Sequence, residues 1–180
     1  MMKLLYFLLF TTACFAQIEV TPDGLEFDEY GDFLVIEADT ISANELFNRA
    51  IKYVEMNYRD PEEVYKGKVE GEYLKIETFK PNLTVVNNAG FKLDIDARYF
   101  IEMRFKDGRV RYEITSLNMT AQNGGRPLYF SGSIWKGYPI YNKKGDLRLE
   151  ESKADIENYF NNELRAIKKM LWGESPKDDW

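Results

Sequence analysis

Residues 91–114 read FKLDIDARYFIEMRFKDGRVRYEI, and this stretch decides the fold. Apolar and charged side chains alternate from Phe91 to Phe105, and only Phe100 interrupts the charged row. Such a long period of two predicts a β-strand that has one face on a core and the other in water. Asp107-Gly108 then predicts a two-residue hairpin turn of type I′, in which both residues have positive φ.

The two-residue turn also predicts the register of this hairpin. It places apolar residues opposite each other on the buried face and like charges opposite each other on the wet face. The facing like charges are Arg104 with Arg111 and Glu102 with Glu113. We therefore expect opposite charges to pair along the diagonals, which long side chains can reach. A slip of one residue would turn the apolar row to water, so burial favours this register.

An amphipathic helix is predicted on each side of the strand-rich region. Ser42 to Glu45 has capping-box spacing and opens an apolar stripe over residues 43–57. A second capping signal, Ser152 to Asp155, opens a stripe that runs from Ile156 to Leu171 and stops at Gly173. The two stripes predict helices that cover the apolar face of the sheet.

The remaining strands are shorter or less regular. Phe33 to Glu37 is a short apolar strand, and Val64 to Phe79 is rich in strand formers, with Gly67 and Gly71 marking a bulge or turn. Residues 118–150 contain many glycines and several aromatics, and we predict an irregular segment there. The resulting order, β-α-β(4)-α, predicts an α+β domain with an antiparallel sheet and two helices.

The N-terminus has the pattern of a secretory signal peptide. Lys3 supplies the positive charge, Leu4 to Phe10 the apolar run, and Ala16 the small residue before a cleavage site. We expect cleavage after Ala16 and a periplasmic or secreted protein. A lipid anchor on Cys14 is the alternative, which Thr11 disfavours because an aliphatic residue is preferred there. No apolar stretch approaches the ~20 residues that span a bilayer, so no transmembrane segment is expected.

These boundaries divide the chain into four parts. Residues 1–16 are the signal peptide, residues 17–31 a loose leader, residues 32–172 the single domain, and residues 173–180 a polar tail.

Composition excludes most forms of catalysis. The chain has no His, and its one Cys lies in the signal peptide, so the exported part has no imidazole base, thiolate nucleophile or usual zinc site. Asp94 and Asp96 share one strand face and could bind calcium, but Lys92 and Arg98 flank them, which favours a solvated, charge-balanced face. We therefore predict no catalytic residue, no metal and no cofactor. The net charge of −6 argues against nucleic-acid binding.

The run KDGRVRYEI, from Lys106 to Ile114, follows a capped helix and the strand EVYK at 63–66. This combination resembles domain-of-unknown-function family 4468, which has a TBP-like fold and occurs in exported proteins of the Bacteroides–Flavobacterium group. The resemblance implies a β-α-β(4)-α architecture. It implies no activity, because the family has no assigned catalytic residues, and a fold alone does not imply a function.

Three functions remain open. The leading hypothesis is a non-enzymatic binding module that meets an unknown envelope or secreted protein through one exposed surface. The second is a carrier of a small apolar ligand held between the sheet and the C-terminal helix, and the weakest is a carboxylate-based hydrolase. For either binding role, the candidate contact residues are the aromatics of the irregular segment, which could instead form a packed lid: Tyr129, Phe130, Trp135, Tyr138 and Tyr141.

Overall fold

The computed structural model describes residues 18–28, 30–88, 90–122 and 125–174. The predicted signal peptide, with Cys14 and the cleavage site, lies outside the described residues, as does most of the predicted polar tail. None of the helices in the described ranges is long and apolar enough to cross a membrane.

Nine strands and three helices make up the described part of the chain. The strands are β1 (Ile18–Val20), β2 (Leu25–Phe27), β3 (Leu34–Glu37), β4 (Tyr65–Val69), β5 (Tyr73–Asn88), β6 (Phe91–Lys106), β7 (Arg109–Ala121), β8 (Pro127–Gly132) and β9 (Tyr138–Asn142). The helices are α1 (Ala43–Asn57), α2 (Pro61–Val64) and α3 (Glu150–Leu171). The fold is therefore α+β with a mostly antiparallel sheet, as the sequence predicts.

Seven strands form one sheet in the order β4-β5-β6-β7-β8-β9, and β3 pairs with the first part of β7. All neighbours are antiparallel except β8 and β9, which are parallel. Both long helices cover the same face, because Tyr99 and Phe105 project from one side of β6. Tyr99 packs edge-on against Phe160 of α3, and Phe105 packs edge-on against Phe47 of α1. Neither of the two long helices covers the opposite face of the sheet, and the short helix α2 lies at its edge beside β5.

The predicted hairpin is confirmed in its register, and its turn differs from the prediction. Arg104 lies opposite Arg111 and Glu102 opposite Glu113, as expected. In the turn only Gly108 has positive φ (75°), so the turn is not type I′. The backbone N–H of Gly108 donates to the carbonyl of Ile41, 2.8 Å away, which ties the turn to the segment before α1.

The predicted diagonal ion pairs are wrong. Glu113 accepts a hydrogen bond from Arg111 of its own strand, at 3.1 Å. Glu102 pairs with Lys75 of β5, and the Arg104 guanidinium lies 5.1 Å from the ring centre of Tyr73, also on β5. The physical reason is that β5 borders the other side of β6 and offers closer partners than the diagonals do.

The buried row of β6 is also shorter than the alternation predicts. Phe91 is 73% exposed, and the fully buried positions begin at Ile95. Phe91 lies at the turn between β5 and β6 and is the first residue of its strand, so its side chain stays in water.

The prediction of a loose leader over residues 17–31 is wrong for residues 18–27. They form the antiparallel hairpin of β1 and β2, in which Ile18 and Val20 are fully buried. The side chain of Asn161 on α3 receives the N–H of Ile18 and donates to its carbonyl, both at 2.8 Å. The core therefore extends beyond the predicted domain start, because α3 supplies the hydrogen bonds that a lone hairpin lacks.

The prediction that residues 118–150 form an irregular segment is wrong. They contain the end of β7 and all of β8 and β9, and only five residues (133–137) connect the two parallel strands. Parallel neighbours usually need a crossover of a dozen or more residues, so no local pattern in the sequence indicates this pair.

One of the two predicted helix caps is present. The Ser42 hydroxyl accepts the N–H of Glu45 at 3.3 Å, although the Glu45 carboxylate binds Arg49 rather than reaching back. The second cap is wrong, because α3 begins at Glu150 and Ser152 is buried inside it. The Ser152 hydroxyl is 3.4 Å from the carbonyl of Val85, to which it donates.

Candidate functional site

The five aromatics predicted as contact residues do not form one surface. Tyr141 is buried, and its hydroxyl donates to the carbonyl of Val20 at 2.7 Å, which holds the N-terminal hairpin. Phe130 packs against the core, Tyr129 donates to the carbonyl of Ser133, and the Tyr138 ring lies under the Arg126 guanidinium. Trp135 alone is fully presented to solvent, at 87% exposure. Four of the five are therefore scaffold, and one projects outward.

Side chains fill the space in which the carrier hypothesis places a ligand. Between the sheet and α3, the Tyr99 ring packs edge-on against Tyr159 and Phe160, at centroid distances of 6.4 Å and 5.1 Å. The Tyr99 hydroxyl donates to the carboxylate of Glu163 at 2.8 Å and lies 2.7 Å from the Tyr159 hydroxyl. This contact region holds an acid–tyrosine cluster.

Burial sets the protonation of this cluster. Burial raises the pKa of Glu163 to about 7, although hydrogen bonds from Tyr99 and Tyr159 act in the opposite direction. Burial also raises the pKa of Tyr159 and Tyr99 well above that of free tyrosine, with the nearby Glu163 as a further cause. The phenols are neutral donors at ordinary pH, and the carboxyl group is the titrating member.

Asp94 and Asp96, for which the sequence favours a solvated face over a calcium site, belong to no group of three or more His, Cys, Asp or Glu residues in the part of the chain that the structure describes. Asp96 instead accepts the backbone N–H of Asn82 at 2.9 Å and the side-chain amide of Gln122 at 3.0 Å. These two hydrogen bonds, first from Gln122 and then from Asn82, lower the pKa of Asp96. Asp96 therefore supports the strained backbone of Asn82, which has a φ of 50° and lies at the bulge inside β5.

The open face of the sheet carries a different constellation, centred on Phe79 and Arg98. These residues are partners in register across β5 and β6. The Arg98 guanidinium lies 5.4 Å from the ring centre of Phe79, a cation–π geometry. Phe79 is 52% exposed, so this ring is offered to solvent even though it is aromatic.

Glu77 fixes the orientation of the cation at this site. Its carboxylate oxygens form salt bridges with the Arg98 guanidinium at 2.9 Å and with the ammonium group of Lys66 on β4 at 3.1 Å. The hydrogen bonds from Arg98 and then from Lys66 lower the pKa of Glu77, so it stays ionised. The guanidinium is therefore held over the Phe79 ring by a carboxylate on the same face.

Two grooves meet at this pair. One, of about 520 Å³, runs along β5 beside α2 and is lined by Val64, Lys66 and Phe79. The other, of about 320 Å³, crosses β6 toward Thr120 of β7. Phe79 and Arg98 line both grooves, so they form the ridge between them.

The edge of β5 is open at the first groove. β4 pairs with β5 only between Tyr73 and Ile76, with Tyr65 as its last partner. From Glu77 onward no described strand lies on that side of β5. An unpaired strand edge next to an exposed ring and an oriented cation can take an extended peptide, through backbone hydrogen bonds and one side-chain pocket.

Sequence reasoning missed this site, although one signal was present. In the sequence, Phe79 marks only the end of a predicted strand, and Arg98 is one member of a charged row. The signal was the aromatic break in that row, because Phe100 also lies on the open face, where Lys75 covers it at 4.5 Å. Aromatic residues on a solvated face indicate a contact surface, but the pairing of Phe79 with Arg98 requires the strand register.

Comparison with known proteins gives a fold and no activity. Residues 33–120 match the family described as a domain of unknown function (DUF4468) with TBP-like fold. A crystal structure of a DUF4468 family protein from Bacteroides ovatus aligns with a TM-score of 0.54 at 12% identity, covering 82% of this chain and 88% of that chain. A TBP-like protein from Parabacteroides distasonis aligns with a TM-score of 0.47 at 14% identity, covering 76% and 90%. No curated protein matches.

Proposed function

Residues 33–120 belong to DUF4468, a family of unknown function with a TBP-like fold, and from this premise we propose that the protein is an exported, non-enzymatic protein-binding module. Its partner is an envelope or secreted protein, which contributes an extended segment to the groove beside β5. The observation that carries the proposal is the exposed Phe79 ring held under Arg98 where the two grooves meet.

The composition of this face supports a protein partner. Aromatic residues and arginine are enriched where proteins bind each other, and they supply most of the binding energy. The open face has four contacts in which a Lys or Arg cation lies over an aromatic ring. They are Lys75 with Phe100, Arg98 with Phe79, Arg104 with Tyr73 and Arg111 with Phe33. The rings lose little entropy on binding, since the cations already hold them in place.

The charges on this face argue against a nucleic-acid partner, which the TBP-like fold might suggest. Glu77 binds Lys66 and Arg98, and Glu102 and Glu113 bind Lys75 and Arg111. Cations that are neutralised by neighbouring carboxylates release few counterions when they meet phosphate. The same balance suits an extended peptide, which presents backbone amides and mixed side chains.

The test compares capture from an envelope extract of the producing cells by three immobilised forms of the chain. We expect the wild type to retain a defined partner, Phe79→Ala to lose it, and Phe91→Ala to retain it. Phe91 is the matched control because it is an exposed aromatic of the same sheet, away from both grooves. Equal capture by the Phe79→Ala and wild-type chains would contradict the proposal.

A further inference from the structure

A second surface has a charge opposite to that of the whole chain. The segment 125–148, here called the basic lobe, contains β8, β9 and the turn that follows. It carries five Lys or Arg residues and a single acidic residue, Asp146, in a chain of net charge −6. On the open face of the sheet, carboxylates pair with Lys66, Lys75, Arg98 and Arg111, whereas Asp146 is the one carboxylate side chain within residues 125–148. This excess of positive charge favours contact with a negatively charged partner.

The loop between β8 and β9 presents two apolar side chains at the tip of the lobe. Trp135 is 87% exposed, and its neighbour Ile134 is 52% exposed. The loop that carries them is rigidly held, because Tyr129 donates to the carbonyl of Ser133 and Arg126 donates to the carbonyl of Ile134. The structure therefore keeps an indole and an aliphatic chain in water.

Lysine side chains lie beside this tip. Lys136 and Lys143 line one open groove of about 490 Å³, together with Ser133 and the Tyr129 ring. Neither lysine has an ion pair in the described part of the chain. An exposed Trp–Ile tip is thus flanked by cations that are free to meet an anionic surface.

We propose that the basic lobe binds an anionic lipid surface, with Ile134 and Trp135 entering the interface and Lys136 and Lys143 contacting the headgroups. Tryptophan is enriched at membrane interfaces, where its ring is buried and its N–H stays hydrated. Basic residues beside such a tip each strengthen binding to anionic lipid. The protein stays peripheral, because one loop buries far less apolar surface than a spanning helix.

An anionic saccharide is the competing ligand, since it too would meet lysines and an aromatic ring. The geometry favours lipid, because Ile134 projects next to Trp135. An aliphatic side chain adds nothing to the stacking of a sugar on an indole, but it does gain from entry into an acyl environment.

The test uses the chain from Gln17 to Trp180, the exported form predicted from the sequence, because the apolar run near the N-terminus would itself bind lipid. Its helix and strand content is checked by circular dichroism. Vesicles of phosphatidylcholine alone are compared with vesicles containing about one third phosphatidylglycerol. We expect sedimentation with the anionic vesicles only, and its loss in high salt. A chain in which Trp172 and Trp180 are replaced by Phe reports on Trp135 alone. Its emission should shift to the blue when anionic vesicles are added.

Variants locate the contact. We expect Lys143→Glu to weaken vesicle binding by about fivefold or more, and Trp135→Ala to weaken it at least as much. Phe91 is an exposed aromatic residue outside the lobe, so the Phe91→Ala variant should bind vesicles like the wild type. Equal loss in Trp135→Ala and Phe91→Ala would overturn the proposal. Binding to polygalacturonate without binding to anionic vesicles would overturn it in favour of a saccharide. Partner capture through Phe79 is a separate result and does not depend on this one.

Discussion

Arg98 and Phe79 lie opposite each other on β6 and β5, with the guanidinium 5.4 Å from the ring centre and its position fixed by Glu77. A cation–π contact at an exposed site is worth about 0.5–1 kcal/mol. That energy is small, so the pair contributes little to the stability of the fold. We infer that this pair exists for binding.

Stability measurements should therefore separate this pair from the core. We expect Phe79→Ala and Arg98→Ala each to change the free energy of unfolding by less than about 1 kcal/mol, because both side chains lie on the open face. Ile101→Ala, three positions along β6 from Arg98 and fully buried, should cost about 2–5 kcal/mol. Urea melts compare the three variants. A large loss of unfolding free energy in Phe79→Ala would show that Phe79 has a structural role.

The Glu163 cluster should make stability depend on pH. The pKa of this carboxyl is raised to about 7 in the folded chain, so its contribution is fully present below the unfolded value of about 4.5. That contribution is lost as the pH rises through about 7. We expect Glu163→Gln to be more stable than the wild type at pH 8, on the order of 1–3 kcal/mol, and the difference to shrink at pH 5.

Thermal or urea melts at several pH values check this prediction. Glu151→Gln, an exposed acid on the same helix, is the control and should follow the wild-type pH profile. A pH profile of Glu163→Gln that is parallel to that of the wild type would show that the carboxyl does not titrate in this window.

The hairpin turn should tolerate only certain residues at Gly108. Its φ of 75° strains a side chain, although an added Cβ would meet no atom within 4 Å. We expect Gly108→Val to cost on the order of 1–3 kcal/mol and Gly108→Asn less, because asparagine adopts positive φ more readily. Arg104→Ala, on the wet face, should cost under about 1 kcal/mol. If denaturant melts show a larger loss of unfolding free energy for Arg104→Ala than for Gly108→Val, the turn geometry is contradicted.

Asn161 should hold the N-terminal hairpin on α3. Its side-chain amide makes two hydrogen bonds to the backbone of Ile18, and both are lost in Asn161→Ala. We expect that variant to lose about 1–3 kcal/mol and to exchange the amide hydrogens of residues 18–27 faster. Asn162→Ala is the matched control, since Asn162 is exposed. Unchanged exchange in Asn161→Ala would mean that the remaining contacts, among them the hydrogen bonds of Val20 with Glu157 and Tyr141, hold the hairpin without Asn161.

The sequence predicted those parts of the fold that depend on local patterns. The alternation along β6 and the Ser42 cap on α1 are each read within one strand or one turn. The alternation is confirmed from Ile95 onward, and the Ser42 hydroxyl caps α1 without the reciprocal bond from Glu45. The N-terminal hairpin was missed because its partner, Asn161, is 143 positions away. The site was missed for the same reason, because Phe79 and Arg98 meet only through the register of β5 and β6, which a bulge after Lys80 shifts.

Hydroxyl-radical footprinting of the wild-type chain, free and in the complex captured from envelope extract, tests most directly whether the partner binds at Phe79. It reads the solvent accessibility of individual side chains. We expect oxidation of Phe79 to fall in the complex, while oxidation of Phe91 is unchanged. Oxidation of Phe79 at the same rate in the free and captured chain would show that the partner binds elsewhere, and would contradict a binding role for Phe79.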